Sequence, residues 1–353
     1  MNDLKEISVE HPRYISFINE NRSLEKALEI YEQRIIDALD VYERFSNTFC
    51  ERFCPICGKN SKEKLDPFLN KYNIVKCKHC LTVFVDPCPS IEALQYYYNE
   101  CKCNAKLGDL FRNRYQKGNI IINERLVFLV ELIKNYLNGK EKIKILEIGC
   151  SSGVFLSELK SVLLQNNLLK FCELKGIDID SFAVKKNIDS EILLEAISVE
   201  EFSLKSKEKF DIIIHFELIE HLHDPFSFMQ SVKNLLVEGG LHHFHTPNGN
   251  GFDNKAMNYN DFRALAHSVF PPMHLQAFTV QNMVHFAIRS GFKIQQVDTP
   301  GNFDVDLVLN TLPKNSSSPF RFIHDIPKNY LAIFQFWLKE LNASSHLRCT
   351  LQK

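Results

Sequence analysis

Between residues 143 and 291, short runs rich in Ile, Leu, Val and Phe at 143–148, 171–177, 192–196, 211–216 and 241–246 alternate with longer stretches whose apolar residues recur every three or four positions. Runs that are apolar at nearly consecutive positions read as strands buried on both faces, and the stretches between them read as crossover helices. The pattern predicts an α/β fold on a parallel sheet. Helix-boundary residues agree. Asp224-Pro225 supplies an N-cap and a first-turn proline before a helix at 226–236, and Thr279 with Gly291 brackets another at 280–290. Upstream, Ile120 to Leu137 is apolar at helical spacing and stops at Asn138-Gly139. From Ser23 onward, Leu24, Leu28, Tyr31, Ile35, Ala38, Tyr42 and Phe45 form one stripe along a helix of about six turns. That stripe must be covered. Packing onto its own domain is the first reading, and a homodimer through the N-terminal helix is the alternative, since about three heptads are near the minimum for self-association.

Composition narrows the function classes. A chain of 353 residues exceeds the usual single core, and changes in character divide it into an N-terminal helical segment (1–48), a cysteine-rich module (49–90), a helical connector (91–141) and a main domain (142–353) with a helical insertion at about 301–345. Lys and Arg number 42 against 43 Asp and Glu, so there is no global basic field to recruit nucleic acid or anionic lipid. No apolar run approaches the roughly 18–20 residues of a membrane span, and the first residues lack a signal-peptide profile; a cytoplasmic protein with no membrane partner is expected. In a reducing compartment, 11 cysteines with paired spacing point to metal and not to disulfides.

The pairing is specific. Cys54-Pro-Ile-Cys57 and Cys77-Lys-His-Cys80 are two C-x-x-C knuckles separated by 19 residues, a spacing that lets two tight turns present four thiolates tetrahedrally to one Zn2+. A closed four-thiolate shell leaves no place for a water, so the ion is expected to be structural. The module carries seven Lys and Arg against four Asp and Glu, too small an excess for nucleic-acid binding once a doubly negative zinc-thiolate centre is counted. It is expected to pack on, or lid, the neighbouring domain.

The first strand of the main domain runs into Gly149-Cys-Ser-Ser-Gly153 and then a helix. Glycine at such a turn lets a ligand approach the backbone, and the helix N-terminus offers free N–H groups. A dinucleotide fingerprint would need glycine at 149, 151 and 154, where the chain has Gly149, Ser151 and Val154, so NAD and FAD are disfavoured. The second strand ends in Gly176-Ile-Asp178, placing a carboxylate where it can accept hydrogen bonds from a ribose diol. Asp180 behind it reads as a helix N-cap.

Taken in order, Leu146-Glu147-Ile-Gly149-Cys-Ser-Ser-Gly153, Gly176-Ile-Asp178, Phe210-Asp211, Glu220-His221-Leu-His-Asp224-Pro225, Leu235-Leu-Val-Glu-Gly239-Gly240 and Thr246-Pro247-Asn248 resemble the motifs of class I S-adenosylmethionine-dependent methyltransferases. The resemblance covers about residues 142–300. It implies a Rossmann-like seven-stranded sheet in the order 3-2-1-4-5-7-6, with 292–298 as strand 6 and 346–351 as an antiparallel strand 7. It places Gly149, Ser151 and Gly153 at the methionine part of S-adenosyl-L-methionine, Asp178 at the ribose, Ala196 and Ile197 at the adenine, and Glu147 at the loop or the amino group. Ser151 stands where many members have glycine, and Glu238 where proline is common. The four-cysteine module in front is similar to the N-terminal zinc-binding region of sugar methyltransferases, notably deoxysugar C-methyltransferases, which implies a small polar acceptor such as a nucleotide-activated sugar or surface-glycan precursor. Two further readings stand beside it: O- or N-methylation of another metabolite, and a non-catalytic zinc-ribbon binding protein.

For methyl transfer the chain needs one base and a shaped pocket. Glu220 and His221 follow strand 4 at its C-terminal edge, where ligands of open α/β sheets bind, and a histidine can accept a proton near neutral pH. His274, in the segment after strand 5 that covers the acceptor, is the third candidate. It resembles half of the Glu-His pair of the sugar C-methyltransferases, with Met273 in the acid position. His242, His243 and His245 lie on strand 5 at mixed parity and read as sheet packing, not as a metal site. The 28 phenylalanines read as core.

Overall fold

Ile143, Ile145, Ile212 and Ile214 bury one face of the sheet, while Leu146, Ile148 and Ile213 bury the other, which is why their strands read as continuous apolar runs. The computed structural model describes residues 24–103, 120–257, 269–302 and 304–353. The start of the N-terminal segment, residues 104–119 of the connector and residues 258–268 lie outside the described residues, as do the side chains of Leu24 and Leu28 in the predicted stripe.

The described chain begins with α1 (Leu24–Phe45), followed by a three-stranded antiparallel ribbon of β1 (Lys62–Lys64), β2 (Ile74–Cys77) and β3 (Val83–Val85). Helices α2 (Ile91–Glu100) and α3 (Ile120–Tyr136) lead into the main sheet. There β4 (Ile143–Ile148), α4 (Val154–Gln165), β5 (Cys172–Asp178), α5 (Ser181–Lys185), β6 (Leu193–Ala196), α6 (Val199–Lys205), β7 (Phe210–Phe216), α7 (Pro225–Leu235) and β8 (Leu236–Pro247) alternate. Then come α8 (Phe252–Met257), α9 (Val280–Arg289), β9 (Lys293–Asp298), α10 (Asp304–Thr311), α11 (Lys328–Glu340) and β10 (His346–Gln352). The spatial order is β6-β5-β4-β7-β8-β10-β9, with β10 antiparallel to both of its neighbours and β4 to β8 parallel. Counted from β4, this is the expected 3-2-1-4-5-7-6.

Helices α3 and α4 cover one face through Leu126, Leu129, Ile133, Phe155 and Leu159. On the other face Phe202, Phe228, Met229, Val232, Met283 and Phe286 from α6, α7 and α9 form one core with Cys54, Ile56, Val75 and Phe84 of the ribbon. Burying each such side chain stabilises the fold by roughly 1.5–3 kcal/mol, so ribbon and sheet stand or fall together on that side.

The inward face of α1 differs from the predicted stripe. Its most buried residues are Arg34, Asp37, Ala38 and Val41, while Ile35 and Tyr42 are half-buried. The charged pair is tolerated because Asp37 accepts a hydrogen bond from the Cys103 backbone at 2.7 Å and Arg34 lies over the Phe270 ring. Tyr72, Phe68 and Phe270 cover Ala38, so the helix is buried on its own chain. No helix among the described residues is long and apolar enough to cross a membrane.

Candidate functional site

The loop after β4 is held in an unusual backbone conformation. Gly149, Ser151 and Gly153 all have positive φ, at 75°, 51° and 77°, which costs a non-glycine residue such as Ser151 about 1–2 kcal/mol. Asp178 offsets it: one carboxylate oxygen accepts from the Ser151 N–H at 2.7 Å and the other from the Asp180 N–H at 2.8 Å. Each oxygen keeps a further lone pair, so the carboxylate organises the loop and can still accept from a diol. The approach of loop to sheet is close. A Cβ on Gly176 would lie 2.7 Å from Cys150 Sγ and Leu194 Cδ2, so glycine is required there. Gly153 then caps α4 without a side-chain hydrogen bond. Asp180, as predicted, caps α5 by accepting from the Phe182 and Ala183 N–H groups.

Glu147, at the end of β4, is buried and its Oε2 has no hydrogen-bond partner. Burial, with repulsion from Asp178, pushes its carboxyl up to about 8, against an opposing pull from Arg125. A buried acid with an open oxygen beside a loop of positive φ fits the amino group of S-adenosylmethionine. At the edge of β6, Ala196 pairs with Asp178 in the sheet register, and the Ile197 N–H donates to the Asp178 carbonyl at 2.9 Å, which sets both residues beside the Asp178 backbone.

At the C-terminal edge of β7 the short 3-10 turn Ile219–His221 brings Glu220 and His221 under the segment that carries His274. His221 Nδ1 lies 3.0 Å from the Met273 carbonyl and 3.0 Å from Tyr98 Oη, and the His221 and His274 rings meet edge-on at 4.7 Å. Nδ1–H therefore donates to the carbonyl, which leaves Nε2 with a free lone pair. Burial lowers His221 to about 4, so the imidazole is neutral at physiological pH. Glu220 is buried, and its Oε2 accepts from the Thr246 hydroxyl at 2.8 Å; its Oε1 is 3.6 Å from His221 Nε2. Burial and the neighbouring Glu217 raise its carboxyl well above the ordinary range. The ligand atoms of Glu220, His221 and His274 lie within 4.8 Å of one another, a spacing that could also take a metal ion.

Other residues of this region carry no sequence motif of their own. Tyr98 comes from α2, 123 positions from His221. The Met273 backbone does the orienting that an acid would do at that position. Arg125 and His346 flank Glu217, with Arg125 Nη2 at 2.5 Å and His346 Nε2 at 3.4 Å from its carboxylate; together they hold Glu217 well below the ordinary carboxylate range despite burial. On β8, His242 and His243 are fully buried and His245 nearly so, with His243 Nδ1 2.9 Å from the Thr350 hydroxyl, in keeping with sheet packing.

In the ribbon, the sulfurs of Cys54, Cys57, Cys77 and Cys80 lie within 4.8 Å of one another, with Cys54–Cys80 and Cys57–Cys77 at 3.5 Å. Zn–S bonds of about 2.3 Å in a tetrahedron place sulfurs roughly 3.8 Å apart, so the four thiols are spaced to hold a structural zinc ion after small adjustments. The ribbon is stitched to the main domain beside His274: Val85 N–H donates to the Leu275 carbonyl and Ala277 N–H to the Val83 carbonyl, both at 2.9 Å.

Residues 122–297 match a family model described as a methyltransferase domain. The ubiquinone biosynthesis O-methyltransferase of Pelagibacter ubique is 32% identical over 133 residues, covering 37% of this chain and 50% of that protein. The protein of the same name from Alkalilimnicola ehrlichii is 23% identical over 222 residues, or 58% and 78% of the two chains. A solved SAM dependent methyltransferase from Archaeoglobus fulgidus is 15% identical over 69% of this chain and 98% of its own, with a TM-score of 0.45. The chain spans about half the length of the first of these curated relatives. With a sheet in the order β6-β5-β4-β7-β8-β10-β9 and a family match through its parallel half, the chain carries a class I S-adenosylmethionine-dependent methyltransferase domain.

Proposed function

We propose that this protein transfers a methyl group to a hydroxyl oxygen of a small polar acceptor, with His221 as the base. When bound, S-adenosylmethionine supplies a methyl group already activated on a sulfonium. Gly149, Ser151 and Gly153 cradle its methionine part, Asp178 accepts from the ribose hydroxyls, Glu147 meets the amino group, and Ala196 and Ile197 border the adenine. On the acceptor side, His221 Nε2 removes the hydroxyl proton while Nδ1–H stays on the Met273 carbonyl. Tyr98 Oη shares that Nδ1–H, which leaves its own O–H to donate to the acceptor. Glu220 keeps the turn in place through Thr246, and His274 walls the pocket edge-on to His221. Cys54, Cys57, Cys77 and Cys80 hold a structural zinc ion.

The orientation of His221 by a backbone carbonyl carries the reading, because it fixes which nitrogen faces the acceptor. The names of the matched relatives favour oxygen as the methylated atom. An activated sugar presents the same hydroxyl chemistry and remains the alternative acceptor that the four-cysteine ribbon suggests. The test is incubation of the full chain with methyl-labelled S-adenosylmethionine and two acceptor panels, one of catechols and phenols and one of nucleotide-activated sugars. A labelled methyl ether is expected, with a His221→Gln rate lower by about 10²–10⁴ and cofactor affinity within twofold. Labelled carbon or nitrogen products, or no transfer to either panel, would overturn the proposal.

A further inference from the structure

Arg52 is the connection between ribbon and acceptor site that the methyl-transfer reading leaves without a role. It lies two residues before the first zinc-type cysteine, and its guanidinium is threaded between the two units over the ring of Phe84. Nε donates to the Val85 carbonyl at 3.1 Å, Nη1 to the His223 carbonyl at 3.2 Å and Nη2 to the Leu275 carbonyl at 2.9 Å. Its own backbone N–H donates to Asp86 at 2.9 Å, and Asp86 pairs with Lys62. The recipients outside the ribbon are not arbitrary. Leu275 follows His274 directly, and its N–H donates to the Glu220 carbonyl at 2.9 Å. His223 stands two residues after His221. Gln276, next to Leu275, donates to the Ile219, Glu220 and Leu222 carbonyls. One planar cation therefore pins both histidine-bearing segments to the same ribbon strand.

We propose that Arg52 is a positioning residue for His221 and His274, so that the four-cysteine ribbon acts as a strut of the acceptor site. A tie that served only to dock the ribbon could sit anywhere along the interface. Arg289 is such a tie, donating from α9 to the Pro55 and Ile56 carbonyls at 3.2 and 2.7 Å and lying over the Phe226 ring of α7. Arg52 differs because its fork converges on three carbonyls in fixed directions, which a lysine ammonium on a flexible stem cannot reproduce.

The inference rests on the assignment of His221 as base, but its test need not. In full-length, zinc-loaded protein labelled at histidine Cε1, Arg52→Gln and Arg52→Lys should shift the His221 and His274 imidazole resonances and change the His221 tautomer ratio, with the metal content still one zinc per chain. Arg289→Gln should leave those resonances in place, and the exposed His285 serves as internal reference. With a catechol acceptor, both Arg52 variants should lower kcat by about tenfold or more while KM for S-adenosylmethionine stays within twofold. Should Arg52→Gln not fold, Arg52→Lys decides on the same signals. Unchanged His221 and His274 resonances in a folded, metal-loaded Arg52→Lys protein would overturn the proposal. Absence of methyl transfer by the wild type would instead overturn the assigned reaction and leave the resonance result to decide on Arg52.

Discussion

Asp178→Ala is the most informative perturbation, because the carboxylate has two separable jobs. It accepts the N–H groups of Ser151 and Asp180 at 2.7 and 2.8 Å, and its remaining lone pairs are assigned to the ribose. Loss of the Ser151 bond leaves a strained residue, φ 51°, free to relax into an ordinary region, so the loop loses the shape that fits the cofactor. Hydrogen bonds to a charged acceptor contribute about 1.5–3 kcal/mol each. The ribose share alone should weaken S-adenosylmethionine by about 1–3 kcal/mol, or roughly 5- to 150-fold in Kd. Titration calorimetry with S-adenosylmethionine and its 2′-deoxyribose analogue separates the two jobs. In the wild type the analogue should bind more weakly than the cofactor, whereas in the variant the two should bind almost alike. A variant that binds S-adenosylmethionine within twofold of the wild type, or one in which the missing hydroxyl costs as much as before, would refute the placement of Asp178 at the ribose.

Three other expectations are open to measurement. Gly176→Ala drives a methyl group into Cys150 and Leu194 and should cost about 1–3 kcal/mol of stability, read as a lower Tm together with weaker cofactor binding; an unaltered Tm would contradict the close packing beneath the loop. His215 is fully buried, and desolvation lowers it to about 3, so from about pH 6.5 down the unfolded chain binds a proton that the folded one refuses. Between pH 7.5 and pH 5, His215→Leu should therefore lose about 2 kcal/mol less unfolding free energy than the wild type; parallel pH dependences in urea melts would count against a neutral buried imidazole. Cys57→Ser should release zinc, since three thiolates no longer close the shell. Because the ribbon shares a core with α6, α7 and α9, the loss should also lower the Tm of the methyltransferase domain, and stoichiometric zinc after dialysis would show that Cys57 is not a ligand.

The middle of the parallel sheet was legible because β4 and β7 are buried at most positions on both faces and so read as apolar runs, whereas β6 at the edge is partly exposed along its length. β4 lies at the expected 143–148, and β5, β6 and β7 differ from their expected bounds by one residue. β8 was cut short. Its register slips where Phe210 pairs with Leu236 and Ile212 with Leu241, and Gly239 adopts φ 76°, so the Gly-Gly turn looked like an end and is a bulge within one strand. The N-terminal helix was read on its apolar stripe, but the face that packs includes Arg34 and Asp37, whose partners Phe270 and Cys103 are far away in the sequence.

The sequence by itself determined what local covalent spacing can encode: the strand and helix periods, the caps at Asp180 and Asp224, the glycine loop and the two cysteine knuckles. Tertiary structure alone decided what depends on chain crossings. It placed Tyr98 on His221, put a backbone carbonyl where an acid was sought, and ran Arg52 to carbonyls 171 and 223 positions away. Hydrogen bonds to backbone carbonyls carry no residue signature, since every residue offers the same acceptor, and so the parts of the site built on them could be seen only once the chain was folded.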